Sequence, residues 1–210
     1  MRRHKFIIPT VALLCIAAIA VWHTATHKSA NYISINHSPT ISELDISIGA
    51  DTAPLTMIMY VSFNCRHCRS FLQSDLPQLR QRYINNGLLR LVLKPIDIAE
   101  NQDMMSALRL AVCMNHNGDC SEIMELLLSE TAAVYTDEFR QLIDDIIDQN
   151  PHLAECLTTT SYNYVEQNNM DFNSMNQKLT PIFVVDNHLY RGRYPIEKFC
   201  QIIDNELINK

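Results

Sequence analysis

The chain has 210 residues, of which 47% are hydrophobic and 19% are charged. This is enough for one globular core of ordinary size and too little for two full domains. The formal charge of −6 at pH 7 argues against a nucleic-acid-binding protein, because phosphate backbones attract a basic surface.

Residues 1–27 are predicted to be a targeting segment. Arg2, Arg3 and Lys5 form a basic start, and residues 6–22 follow without a formal charge. This pattern is typical of a cleaved signal peptide or of an uncleaved anchor in the inner membrane, and a buried N-terminal helix is a third interpretation. The first two interpretations place the rest of the chain in the periplasm or cell envelope.

Residues 28–44 are polar and are predicted to be a linker that precedes a folded domain over 45–210. Without residues 1–27 the chain keeps 14 basic and 23 acidic residues, a formal charge of −9. Six cysteines remain, and an even number in an oxidising compartment favours disulfide chemistry.

The first elements of the domain form a compact pattern. Residues 45–48 alternate and predict a short strand, and residues 55–63 are an apolar run that predicts a buried strand. A helical pattern over 71–83 contains Pro77, which is expected to kink the helix. Residues 88–93 predict a second buried strand. Strand, helix and strand within about 40 residues predict a βαβ unit with parallel strands.

The second half begins with apolar residues at helical spacing, which predict an inserted helical subdomain at about 100–176. Two short strands at 182–185 and 189–191 then form a hairpin, and Pro195 begins a last helix. The predicted fold class is therefore α/β, in the order β-β-α-β, four helices, β-β-α. The four inserted helices are predicted at about 102–115, 121–130, 136–149 and 152–167.

The motif Cys65-Arg66-His67-Cys68 follows the first buried strand and opens the first helix. Backbone N–H groups and the partial positive charge at a helix N-terminus favour a thiolate at Cys65. Cys68 lies one turn further on, where it can form or resolve a disulfide. Arg66 and His67 can add positive charge near the Cys65 sulfur. We predict these four residues as catalytic, with the Cys65–Cys68 disulfide itself as the redox group and no other cofactor.

Metal binding is the main alternative from a different class of function. A copper or zinc chaperone could use Cys65, His67 and Cys68, but a structural zinc site would need a second close pair. The nearest candidates, Cys113 and Cys120, have six residues between them and lie within the predicted insert. The sequence therefore predicts no metal site.

The remaining cysteines leave several pairings open. A Cys113–Cys156 disulfide would join two inserted helices, while Cys113–Cys120 and Cys120–Cys156 are competing pairings. Cys200 on the last helix is better explained as a small buried apolar residue.

Four stretches of the sequence resemble the DsbA-like thiol–disulfide oxidoreductases, in particular the branch with a helical insert. The resemblance covers about residues 45–209 and implies a thioredoxin fold, β-β-α-β…β-β-α, with an inserted helical subdomain. The matching stretches are GADTAPLT at 49–56, FNCRHC at 63–68, LPQLRQRYINNG at 76–87 and LTPIFVVDNHLYRG at 179–192.

The resemblance also assigns roles. It implies that Cys65 reacts with the substrate, that Cys68 resolves the mixed disulfide and that His67 stabilises the thiolate. Proline usually stands where this chain has Arg66. The resemblance further implies a cis peptide bond between Thr180 and Pro181 that presents backbone to a bound peptide.

The functional expectation follows from these roles. The protein is expected to introduce disulfides into unfolded or reduced exported proteins and to be reoxidised by a membrane quinone-linked partner. A disulfide isomerase or reductase that uses the same cysteine pair is the alternative within this class. Paired insert cysteines occur in some alphaproteobacterial relatives, which favours the Cys113–Cys156 pairing.

Overall fold

The computed structural model describes residues 32–210. The predicted targeting segment at 1–27, including the apolar run at 6–22, lies outside the described residues. Within 32–210, no helix is both long enough and apolar enough to span a bilayer.

The described residues form a mixed six-stranded sheet with strands β1 Ile33–Ser34, β2 Ile46–Ile48, β3 Leu55–Val61, β4 Leu89–Pro95, β5 Ile182–Val185 and β6 His188–Arg191. The strand order is β1-β6-β5-β3-β4-β2. Strands β3 and β4 are parallel, and the other neighbouring pairs are antiparallel. The two parallel strands are almost entirely buried, as their continuous apolar sequences predict.

The helix α1 that connects β3 to β4 consists of the consecutive segments Arg66–Ser70, Phe71–Asp75, Leu76–Leu79 and Arg80–Ile84. The predicted βαβ unit is therefore confirmed. Pro77 does not end the helix; instead, the stretches at 71–75 and 80–84 widen to π-helical hydrogen bonding. Because proline lacks the N–H that closes a regular turn, a wider turn directly before it lets the helix continue.

The inserted helices are α2 Gln102–His116, α3 Ser121–Ser129, α4 Asp137–Gln149 and a long helix α5 made of Pro151–Glu155, Cys156–Thr160 and Ser161–Ser174. A short 3₁₀ turn, Thr131–Tyr135, precedes α4. The last inserted helix, α5, extends to Ser174, well past the predicted end at residue 167. Its final turn carries Phe172, which is only 2% exposed and packs against Tyr60 of β3 with ring centroids 6.0 Å apart.

Both faces of the sheet are covered, so the fold has helical layers on either side. On one face, Phe71 of α1, Phe183 of β5 and Phe199 of the C-terminal helix α6 (Ile196–Ile208) form an aromatic cluster. Their ring centroids are 4.8, 5.2 and 4.7 Å apart, which is the range of favourable aromatic contacts. Phe172 packs on the other face. This packing holds the N-terminal end of α1 at a defined position beside the sheet.

The described part of the predicted linker at 28–44 contains a short strand that pairs with the sheet. Ile33 lies opposite Leu189 in an antiparallel pair, and the Ile35 N–H donates to the Asn187 carbonyl at 2.9 Å. Leu44 is 8% exposed. A strand of two residues leaves no alternating pattern in a polar sequence, so only the tertiary pairing reveals it.

A buried ion pair joins the start of β2 to β4 and to the insert. Lys94 Nζ lies 2.9 Å from Asp45 Oδ1, and the two side chains are 3% and 0% exposed. The Tyr164 hydroxyl of α5 donates to the same carboxylate oxygen at 2.5 Å. Burial, and then the negative charge of Asp45, raise the pKa of Tyr164, so the phenol stays protonated and keeps donating.

Candidate active site

The two cysteines of the Cys-x-x-Cys motif lie at the junction of β3 and α1. The Cys65 N–H donates to the Ser62 carbonyl at 3.0 Å, which turns the chain, and the Cys65 carbonyl accepts from the Arg69 N–H at 3.1 Å, which starts the helix. Cys65 is therefore the N-cap residue of α1. Its side chain is partly exposed, whereas Cys68 is fully buried, and neither forms a disulfide in the structure.

The electrostatic environment separates the two thiols. The pKa of Cys65 is lowered from 9.0 to about 5, chiefly by the hydrogen bond from the Cys68 thiol. Partial burial opposes this shift, while the side chain of Thr180 and the backbone N–H groups of Cys68 and His67 add to it. Burial, and then the hydrogen bond with Cys65, raise the pKa of Cys68. The pair therefore favours a thiolate at Cys65 and a protonated thiol at Cys68 near neutral pH.

The predicted substrate-binding residues lie directly opposite the reactive thiol. The Thr180–Pro181 peptide bond is cis, and the Cys65 sulfur lies 3.2 Å from the Thr180 carbonyl oxygen, to which it donates when it is protonated. Pro181 is buried, and its carbonyl accepts from the Gly192 N–H at 2.8 Å. The loop before β5 is thus anchored to the end of β6 and places its backbone against the sulfur that a substrate would approach.

The two residues between the cysteines are Arg66 and His67. Both Arg66 and His67 are exposed. The principal causes of the lowered Cys65 pKa include the His67 backbone N–H, but neither the imidazole nor the Arg66 guanidinium. His67 lines the groove next to the cysteine pair.

The other cysteines divide into one disulfide and two free thiols. Cys113 of α2 and Cys156 of α5 are joined, with their Cα atoms 5.9 Å apart. Cys120 is partly buried and free, and Cys200 is buried and free. Arg82 Nη1 donates to the Cys200 sulfur at 3.1 Å. Among residues 32–210, no group of three or more His, Cys, Asp or Glu side chains is arranged to hold a metal ion.

Two contacts near the motif were not predicted from the sequence. The Tyr135 hydroxyl, in the turn before α4, donates to Asn64 Oδ1 at 2.7 Å and links the insert to the residue directly before Cys65. Arg193 donates through two nitrogens to the buried carboxylate of Asp75 in α1, at 2.6 and 2.9 Å. Both contacts join residues at least 71 positions apart, so no local pattern signals them.

A strand that leads into a helix whose N-cap is a low-pKa cysteine, facing a cis-proline loop, defines a protein of the thioredoxin class. The chain matches the thioredoxin family over residues 40–205 and belongs to it. A Rickettsia conorii protein, provisionally named a protein-disulfide oxidoreductase, is 24% identical over 174 residues, or 80% of this chain. A Rickettsia felis protein of the same provisional name is 25% identical over 177 residues. The chain spans 62% of the length of each of these relatives.

Solved structures identify the branch of the fold. Wolbachia pipientis alpha-DsbA1 superposes with a TM-score of 0.62 at 18% identity, covering 79% of this chain and 92% of that one. Oxidised BdbD from Bacillus subtilis superposes with a TM-score of 0.59 at 16% identity, covering 83% of this chain and 98% of that one. A periplasmic thioredoxin-like protein from Salmonella enterica serovar Typhimurium superposes with a TM-score of 0.57 at 18% identity, covering 80% of this chain and 92% of that one. The predicted fold, a thioredoxin sheet with an inserted helical subdomain of the DsbA-like kind, is therefore confirmed.

Proposed function

We propose that this protein is a thiol–disulfide oxidoreductase that introduces disulfides into reduced exported proteins through Cys65 and Cys68. The observation that carries the proposal is the asymmetry of the pair. Cys65 is partly exposed with a pKa of about 5, and Cys68 is buried with a raised pKa. A stable thiolate at Cys65 favours the reduced pair and therefore makes the disulfide a strong oxidant.

The reaction begins with the Cys65–Cys68 disulfide. A substrate thiolate attacks the Cys65 sulfur, the bond between Cys65 and Cys68 breaks, and Cys68 leaves and takes up a proton. A second substrate thiolate then attacks the substrate sulfur of the mixed disulfide and expels Cys65 as a thiolate. Two substrate thiols become one disulfide, and the cysteine pair gains two electrons, so it carries the redox change without another cofactor.

The lowered pKa of Cys65 assists the second step, because a sulfur of low pKa is the better leaving group. The Thr180 carbonyl, 3.2 Å from the Cys65 sulfur, lies where the backbone of a bound peptide would pass. We therefore assign substrate positioning to Thr180 and Pro181.

Turnover requires that the reduced pair return two electrons to an oxidant. We propose a membrane partner that passes them to a quinone, in line with the apolar segment at 6–22 and with a location in the periplasm or cell envelope. The substrates are then reduced or unfolded proteins that arrive in the same compartment.

The test uses a flexible peptide with two cysteines. Oxidised protein comprising residues 28–210 should convert one equivalent of the dithiol peptide to its disulfide while Cys65 and Cys68 become reduced. Cys65→Ser should convert none. Cys68→Ser, mixed with a single-cysteine peptide as its mixed disulfide with a small thiol, should accumulate a peptide mixed disulfide on Cys65, because neither the motif nor the bound peptide then carries a second thiol.

A control variant, Cys120→Ser, removes a partly buried thiol outside the motif and should behave like the wild-type protein. The proposal fails if the peptide dithiol persists with oxidised wild-type protein. It also fails if Cys65→Ser oxidises the peptide as fast as the wild type.

A further inference from the structure

A groove of about 560 Å³ opens beside the cysteine pair. It extends from the motif along the loop before β5 and the end of β6, so a chain bound at Cys65 would continue into it. The lining includes His67, Lys178, Leu179, Thr180 and Arg191. Thr180 is the residue whose carbonyl contacts the Cys65 thiol, which makes the groove continuous with the reactive sulfur.

The charge of the groove is opposite to that of the chain. The chain has a formal charge of −6, yet the groove lining contains Lys178 and Arg191, and none of its described residues is acidic. Within residues 32–210, neither Lys178 nor Arg191 forms an ion pair with a carboxylate. The nearby Arg193, by contrast, is neutralised by Asp75. The groove therefore presents uncompensated positive charge.

The side chains are also suited to binding. Arg191 Nε donates to Gln177 Oε1 at 2.8 Å, which holds the guanidinium at the groove, since Gln177 also lines it. Leu179 is 81% exposed and adds an apolar surface to the same lining as the two cations. A groove that contains an exposed leucine and two cations suits an acidic segment that also carries an apolar side chain.

We propose that this groove selects substrates whose reactive cysteine is flanked by acidic residues. The inference rests on the proposed function, because it assigns the substrate class of the same site. Lys178 precedes Thr180 by two residues, a backbone distance of at most about 7 Å, so the acidic residue should lie roughly two or three positions from the substrate cysteine. Lys178 and Arg191 are thus specificity-determining residues, while Cys65 and Cys68 carry the chemistry.

The experiment compares two dithiol peptides of identical sequence, except that one carries glutamate and the other lysine two positions from each cysteine. Oxidation by the oxidised protein is measured at low and high ionic strength. Each rate is divided by the rate of the same peptide with an uncharged small disulfide, bis(2-hydroxyethyl) disulfide, because the flanking charges also change the reactivity of the peptide thiols. We expect the acidic peptide to react about tenfold faster at low ionic strength, with the preference shrinking as salt screens the charges.

Two variants separate specificity from chemistry. Lys178→Glu should lower the acidic-to-basic rate ratio by at least about threefold, and adding Arg191→Glu should bring it to or below one. The matched control, Arg80→Glu, removes an exposed cation about 20 Å along α1 from the motif and should leave the ratio unchanged. Using the ratio removes any effect of a variant on the reactivity of Cys65 itself.

The outcomes are distinguishable. If both peptides are oxidised at equal normalised rates, or if Arg80→Glu lowers the ratio as much as Lys178→Glu, the groove proposal is overturned while the proposed function stands. If neither peptide is oxidised, the proposed function itself fails. A preference for the acidic peptide that is lost only in the groove variants supports the groove.

Discussion

Replacing Cys68 by alanine should raise the pKa of Cys65, because the hydrogen bond from the Cys68 thiol is the largest cause of its lowered value. Cys68→Ser is the matched variant, since a hydroxyl keeps a donor at the same position. The two substitutions remove the resolving thiol equally. The difference between them therefore isolates the hydrogen bond.

The size of the effect follows from the strength of such a bond. A hydrogen bond to a charged group contributes about 1.5–3 kcal/mol, and one pKa unit corresponds to about 1.36 kcal/mol. Losing the bond should therefore raise the pKa of Cys65 by roughly one to two units from its value of about 5. Cys68→Ser should stay within about half a unit of the wild type.

The assay is the rate of Cys65 alkylation by iodoacetamide between pH 3 and pH 10, with the modified peptide identified by mass spectrometry. That identification is needed because Cys120 and Cys200 are also free. The reasoning is refuted if the midpoint for Cys65 in the reduced wild type lies near the ordinary 9.0, or if Cys68→Ala and Cys68→Ser share the same midpoint.

Three further predictions concern stability. Because the folded-state pKa of Cys65 lies below its ordinary 9.0, the thiolate stabilises the reduced protein fully above pH 9. The free energy of unfolding of the reduced protein in urea, minus that of the oxidised protein, should therefore fall from pH 9 to pH 5. A difference that stays constant over this range would contradict the pKa shift. Asp45→Ala should lower the free energy of unfolding in urea by about 3–5 kcal/mol, because it leaves Lys94 charged and buried. A loss below about 1 kcal/mol would show that Lys94 finds water or another partner. Replacing Cys113 and Cys156 together by alanine should cost up to about 4 kcal/mol, the loop-closure value for their separation of 43 residues, and unchanged stability would mean that the disulfide does not constrain the unfolded chain.

The parts of the fold that could be predicted have signals in the local sequence. The apolar run of β3 identifies a buried strand, the pair Asp186-Asn187 identifies the hairpin turn, and Pro195 marks the start of α6. The reactive position of Cys65 is equally local, because it depends on a strand running directly into a helix. The hydrogen bond from the Cys68 thiol, and then the backbone N–H groups of Cys68 and His67, lower the pKa of Cys65, and the helix start at Cys65 brings all of them to its sulfur.

The parts that could not be predicted depend on distant residues. Strand β1 has only two residues and exists through its pairing with β6, so its polar sequence reads as a linker. The contact from Tyr135 to Asn64 connects positions 71 residues apart. The positive charge of the groove likewise arises because Lys178 and Arg191 line the same groove as His67. In sequence, the whole helical insert separates Lys178 from the motif. Such arrangements are set by tertiary packing rather than by periodicity.

The most direct test of the central claim is the equilibrium redox potential of the Cys65–Cys68 pair in residues 28–210 against glutathione, with the pair's state followed by alkylation. A pair whose thiolate is stabilised as the structure indicates should have a potential more oxidising than about −180 mV, as a disulfide donor requires. A potential near about −250 mV or below would contradict the account and would instead indicate a protein that reduces disulfides.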